Sequence, residues 1–178
     1  MKPKILSKKV VYKGPWLNIE RKKIKLPTGK VVKWEDVISL DFVAIVALDK
    51  KKNIYLSKEW RSAWEREILQ IPAGECKGKT EKEKLKQAQN ELREEVNLGA
   101  KKWEKLVSCP FDARRRARAH IFLATDLFKS KKETEDSEII EVVKMPFQKA
   151  YKLFLSGKTP TTSYTILGMA LAKERLKL

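Results

Sequence analysis

The sequence predicts an α+β chain. Three observations carry that reading: β-branched runs broken by turn residues over the first seventy positions, one capped amphipathic helix from Thr80 to Val96, and strands then helices after it. At 178 residues, 42% hydrophobic and 35% charged, the chain is long enough to bury a core of its own.

Val10–Tyr12, Leu17–Ile24 and Val31–Leu40 mix apolar and polar residues as half-buried strands do, and Gly14-Pro15 and Pro27-Thr28-Gly29 punctuate them as turns. Asp41–Leu48 is a nearly unbroken apolar run, which marks a strand buried on both faces. Asp49–Asn53 reads as a polar turn, Ile54–Glu59 as the returning strand, and Arg66–Ile71 as a short strand stopped by Pro72. On the helix, Leu85, Ala88 and Val96 lie within about 40° of Leu92 at 100° per residue. Thr80 with Glu83 is a capping box, and Asn97 and Gly99 supply the stop. Strands are expected again at Trp103–Ser108, Ala119–Ala124 and Ile139–Lys144, with a charged loop over Lys129–Glu138. Helices are expected over Pro146–Leu155 and Ser163–Lys177. The chain contains no internal repeat and no low-complexity linker.

Composition excludes several classes. The longest apolar run, Phe42–Leu48, is far short of the roughly 20 residues of a membrane helix, and no apolar signal segment opens the chain, so the cytoplasm is the expected address. Cys76, Cys109 and the single His120 cannot build a disulfide framework or a zinc cluster. A metal, if used, would be held by carboxylates and carbonyls, which suit Mg²⁺ or Mn²⁺. Forty Lys and Arg against 23 Asp and Glu give a formal charge of +17. That charge attracts polyanions such as RNA, or it is the lysine-rich surface of a thermophile or a high-salt cell.

Glu91, Glu94 and Glu95 crowd one flank of the helix beside its apolar stripe. Like charges at this spacing destabilise a helix unless a cation neutralises them. The other reading is a solvated acidic face helped by Lys84 and Arg93. The surroundings speak to the choice. Ile71-Pro72-Ala73-Gly74, followed by Glu91-Leu92-Arg93-Glu94-Glu95-Val96-Asn97-Leu98, resembles the Nudix box, and the Pro-Ala-Gly entry resembles the ADP-ribose pyrophosphatase-like branch. The resemblance spans most of the chain. It takes in Lys58-Glu59-Trp60-Arg61 before the box, Ile121–Leu127 and Glu135–Val142 after it, and Ser156-Gly157-Lys158 with Ser163-Tyr164-Thr165 at the last helix.

The resemblance implies a Nudix fold of the α/β (α+β) kind, with mixed β-sheets sandwiched between helices. It implies a Nudix domain over residues 41–178 behind an antiparallel N-terminal extension, 1–40, that serves as a dimerisation region. It also implies a homodimeric, Mg²⁺-dependent hydrolase of a nucleotide substrate, ADP-ribose or a related nucleoside diphosphate derivative. Glu91 and Glu95 would be the main metal ligands, with Glu94 as a third and the Ala73 carbonyl as a neutral one. The activating base would come from the late acidic loop, at Asp136 with Glu135 and Glu138 as neighbours. Arg61 would bind substrate phosphate or ribose, or else pair with Glu59 or Glu65.

The chain departs from the box at several positions. Asn90 stands for its arginine, Lys82 for its early glutamate (with Glu81 or Glu83 as substitutes), Asn97 for its glycine, and Gln70 for the Glu before Pro-Ala-Gly. After Ser108 come Arg114, Arg115, Arg116 and Arg118, a clamp for polyphosphate or RNA or a solvated loop, with Arg114 and Arg116 as the candidate substrate contacts. Two functions therefore stand: the hydrolase, and a catalytically impaired module of the same fold that binds RNA through its basic surface.

Overall fold

The computed structural model describes residues 2–130 and 140–178. Alternation of basic and β-branched residues along the first forty positions yields three antiparallel strands: β1 (Lys4–Lys13), β2 (Leu17–Lys25) and β3 (Val31–Ser39). The β2–β3 turn closes through Leu26 N–H to Lys30 O (2.8 Å), with Gly29 at φ 86°, a left-handed conformation that costs glycine little. The arginine-rich segment is ordered rather than a loop. Arg115–Arg116 form a two-residue strand, β9, parallel to β3, so this sheet runs β1-β2-β3-β9.

These elements make one compact unit, Met1–Asp41 with Cys109–Arg118. The unit takes in ten residues from the middle of the chain as well as the N-terminal strands.

The second unit, Phe42–Ser108 with Ala119–Leu178, holds the core. Its strands are β4 (Asp41–Leu48), β5 (Asn53–Arg61), β6 (Arg66–Gln70), β7 (Ala73–Cys76), β8 (Leu98–Pro110), β10 (Arg118–Lys129) and β11 (Ile140–Pro146), and a single 3-10 turn at Ser62–Trp64 links β5 to β6. The sheet order is β11-β5-β4-β10-β8, with β6 on β5 and β7 on β4. β4 and β10 pair in parallel from Phe42↔Ala119 to Ala47↔Ala124. A parallel central pair is covered on both faces, which is why Val43–Leu48 is apolar without alternation.

Helix α1 (Glu81–Val96) covers one face of this sheet: Ala88, Leu92 and Val96 meet Val43, Ile45, Ala47, Phe122 and Ala124. The capping box forms as expected, and Asn97 ends the helix in the left-handed region at φ 57°. On the other face lies α3 (Ser163–Leu176), which packs with α2 (Phe147–Leu155). Its Gly168 lies so close to the strands that a Cβ there would sit 3.1 Å from Ile121, Ile71 and Val46 alike. The sequence reading lacked β7 and truncated β8. It also read Gly99 as part of a helix stop, whereas Gly99 lies in β8 where a Cβ would collide with Phe128.

Candidate active site

Because Leu92 and Val96 are locked into the core, α1 cannot rotate, and the residues one position before each of them are aimed at a fixed target. That target is the Ala73–Gly74 backbone. Glu95 Oε1 accepts the Ala73 N–H at 3.0 Å. The Glu91 carboxylate lies on Gly74 so closely that an added Cβ would overlap it, and its Oε1 accepts from Gln87 Nε2 at 2.6 Å. Two carboxylates one helical turn apart therefore close on the start of strand β7. Gly74 is required by this approach and not by its own dihedral angles.

Glu95 is 6% exposed. Burial, joined by the charges of Glu91 and Glu59, pushes its pKa up to about 8 against the pull of Ser57 and the Ala73 N–H. Its Oε2 is buried with no hydrogen-bond partner among the described residues. A desolvated carboxylate with one free oxygen, repelled by two acidic neighbours, has the chemistry of a hard-cation ligand. The donor set is oxygen throughout and fits Mg²⁺ or Mn²⁺.

Residues from distant elements lie within electrostatic reach of Glu95. Glu59 pairs with Arg61 at 2.8 Å, the ion pair the sequence offered as the alternative role of Arg61. Tyr164 is in electrostatic reach of Arg61, Glu95 and Glu59, and its hydroxyl donates to Gln70 Oε1 at 2.9 Å. Burial above all pushes the Tyr164 pKa up to about 12, so it is a neutral donor.

Of the expected site residues, Ala73, Glu91 and Glu95 come together. Glu94 is half-buried, and among the described residues no three His, Cys, Asp or Glu side chains are gathered as a metal cluster. Glu135, Asp136 and Glu138 lie outside the described residues. Arg114 and Arg116 belong to the N-terminal unit and are exposed, Arg116 standing opposite Ile38 in the ladder. Their neighbour Arg115 is committed: its Nε donates to Ser39 Oγ at 2.8 Å and its guanidinium lies over Phe111. His120 is buried, with Nδ1 2.9 Å from Ser108 Oγ.

Sequence reasoning missed Ser57, Glu59 and Tyr164 as site residues. Ser57 and Glu59 were detectable, being polar residues two apart on one face of an otherwise buried strand. Tyr164 had no local signal.

Comparison with solved structures gives the fold. The chain superposes on a crystal structure of ADP compounds hydrolase, a Nudix enzyme, with a TM-score of 0.85 and 20% identity, covering 99% of this chain and 95% of that one. No family model matches. Among curated proteins, the chain is 31% identical over 184 residues to the ADP-ribose pyrophosphatase of Bacillus subtilis (strain 168), covering 99% of this chain and 97% of that protein. It is 34% identical over 102 residues to the ADP-ribose pyrophosphatase of Mycobacterium tuberculosis, which spans 57% of this chain and 49% of that one. A methanol dehydrogenase activator of Bacillus methanolicus is 24% identical over 171 residues, 93% of this chain and 90% of that protein. The chain belongs to the ADP-ribose pyrophosphatase-like family of Nudix hydrolases, and is a hydrolase.

Proposed function

We propose that the chain is a Mg²⁺-dependent pyrophosphohydrolase of ADP-ribose or a related nucleoside diphosphate derivative. The observation that carries this reading is the convergence of Glu91 and Glu95 on the Ala73–Gly74 backbone, with Glu95 Oε2 left free. Glu91, Glu95 and the Ala73 carbonyl would hold the cation, with Glu94 as a further ligand. The bound cation would supply neutralisation of phosphate charge and a more acidic water.

The chain's own residues do the rest. Arg61, ion-paired with Glu59, offers a planar cation to a substrate phosphate or ribose. Asp136, with Glu135 and Glu138 beside it, is the group proposed to take the proton of the attacking water. Addition of that water across the P–O–P linkage of ADP-ribose releases AMP and ribose 5-phosphate. The test is AMP release from ADP-ribose with Mg²⁺, beside Glu95→Gln. Activity that vanishes in the variant is expected. Absence of release from ADP-ribose and from a panel of nucleoside diphosphate derivatives would overturn the substrate class.

A second reading rests on the N-terminal sheet. Residues opposite one another in a ladder share a face, and one face presents Lys4, Lys9, Arg21, Lys23, Lys25 and Lys33 with Glu35 as the acid among them. This face is proposed to contact RNA or another polyanion in addition to hydrolysis. Binding of a single-stranded RNA that weakens steeply with salt is expected, and salt-insensitive or absent binding would remove this reading. The opposite face exposes Ile5, Val10 and Trp34 and suits a homodimer, which sedimentation would test. Both cysteines are free, as the cytoplasm proposed for this chain requires.

A further inference from the structure

Three buried polar atoms lack a well-aligned hydrogen bond among the described residues: Ser57 Oγ, Gln70 Nε2 and Glu95 Oε2. Ser57 and Gln70 stand directly opposite each other in the β5–β6 ladder, so their side chains leave the same face. The Ser57 hydroxyl is also within hydrogen-bonding reach of the Glu95 carboxylate and favours its charged form. All three residues are more than nine-tenths buried. Buried polar groups left unpaired forfeit their hydration, and a cluster of them marks a site that something polar fills.

The chemistry of the three atoms is complementary. Gln70 Nε2 can only donate, Glu95 Oε2 accepts when the carboxylate is ionised, and the Ser57 hydroxyl does either. One buried water typically makes about three hydrogen bonds, and this set matches its two protons and a lone pair.

What aims the amide is Tyr164. Its hydroxyl donates to Gln70 Oε1 at 2.9 Å, which leaves Nε2 turned to the other side. Tyr164 is itself held. Its ring packs on Phe42 with centroids 5.1 Å apart, and Thr165 on the same helical turn accepts the Ile71 N–H at 3.1 Å. A glutamate at position 70 would present a second acceptor and a further negative charge toward Glu95, so the amide at this position is part of the arrangement and not a neutral replacement.

We propose that Tyr164 and Gln70 are positioning residues for Glu95: with Ser57 they form a cage for one ordered water that holds the Glu95 carboxylate facing the Ala73–Gly74 backbone. This inference rests on the reading of Glu95 as a cation ligand. Neither residue touches the cation or the substrate; both act through Glu95.

The experiment measures Mg²⁺ binding to the full chain by isothermal titration calorimetry, without substrate, for the unchanged protein, Tyr164→Phe and Gln70→Leu. Tyr164→Phe keeps the ring against Phe42 and removes only the donor. Both variants should keep the circular dichroism of the unchanged chain and bind Mg²⁺ about 10-fold more weakly, the scale of losing a residue that orients a metal ligand. Turnover lost at low Mg²⁺ should return at high Mg²⁺, which a merely structural lesion would not do. If the unchanged chain binds Mg²⁺ and both folded variants bind it within about twofold of that affinity, the cage is overturned while the cation site stands. If the unchanged chain binds no Mg²⁺, the cation assignment falls and this inference falls with it.

Discussion

The two units of this chain use their side chains in opposite ways. The N-terminal unit carries fifteen lysines and arginines against five acidic residues, and only Ile24 and Ala117 among its apolar side chains are buried. Every residue of β1 is exposed. Its order comes from backbone ladders and from cross-strand pairs such as Arg21–Glu35 and Lys22–Asp36. The second unit, with twenty-five basic against eighteen acidic residues, buries a continuous apolar layer on both faces of one sheet, and sets the buried Ser57 against Glu95. The difference teaches where precision is needed. A site that holds a carboxylate oxygen 3.0 Å from a backbone N–H stands on a packed core. A surface that presents charge to a partner needs only a scaffold.

That contrast is sharpest in the core. Leu92→Ala should destabilise the chain by about 3–5 kcal/mol in urea unfolding, because it opens a cavity beneath the helix that carries both carboxylates. Val10→Ala, half-exposed on β1, should cost under about 0.5 kcal/mol. Equal effects would break the comparison.

Next in size is the site. Glu95→Gln should lower turnover by at least about 100-fold, the loss expected when a ligand rather than its supporting shell is removed. The same residue sets a pH signature. Its folded pKa, pushed up to about 8 mainly by burial, lies above its ordinary value of 4.5. The unfolded chain therefore releases this proton first, so with divalent cations chelated, stability should fall as pH rises from about 4.5 to about 8 and level off above. Thermal melts across that window should show the decline. They should show it flattened by Mg²⁺ and removed by Glu95→Gln.

Smaller effects follow. Thr80→Ala removes the N-cap that accepts from the Glu83 N–H and should cost about 1 kcal/mol. Turnover at saturating Mg²⁺ should be nearly unchanged, since Leu92 and Val96 still set the helix position. At the bottom of the scale, Arg21→Ala in the N-terminal unit should cost under about 1 kcal/mol and less in salt, because both partners of the Arg21–Glu35 pair are half exposed. A larger loss would mean that this surface pair is structural after all.

Much of this molecule was legible in order along the chain. The double burial of β4, the capping box of α1 and its left-handed stop at Asn97 were each readable because one local rule governs each of them. β7 escaped because a four-residue strand holding Gly74 offers no alternation to detect. The arginine-rich segment reads as a loop by composition, yet its backbone finds a ladder partner in β3 that no local pattern announces.

The sequence by itself determined the kind of element at most positions, the family, and the helix that presents Glu91 and Glu95. Periodicity, caps and turn residues act over a few positions and need no distant partner. Only the tertiary structure decided what those carboxylates face: the Ala73–Gly74 backbone of β7, Ser57 and Glu59 on β5, and Tyr164 from the last helix. It also decided that Glu95 is buried deeply enough to resist ionisation. These depend on desolvation and on contacts between residues up to a hundred positions apart, and such contacts exist only once the chain has packed.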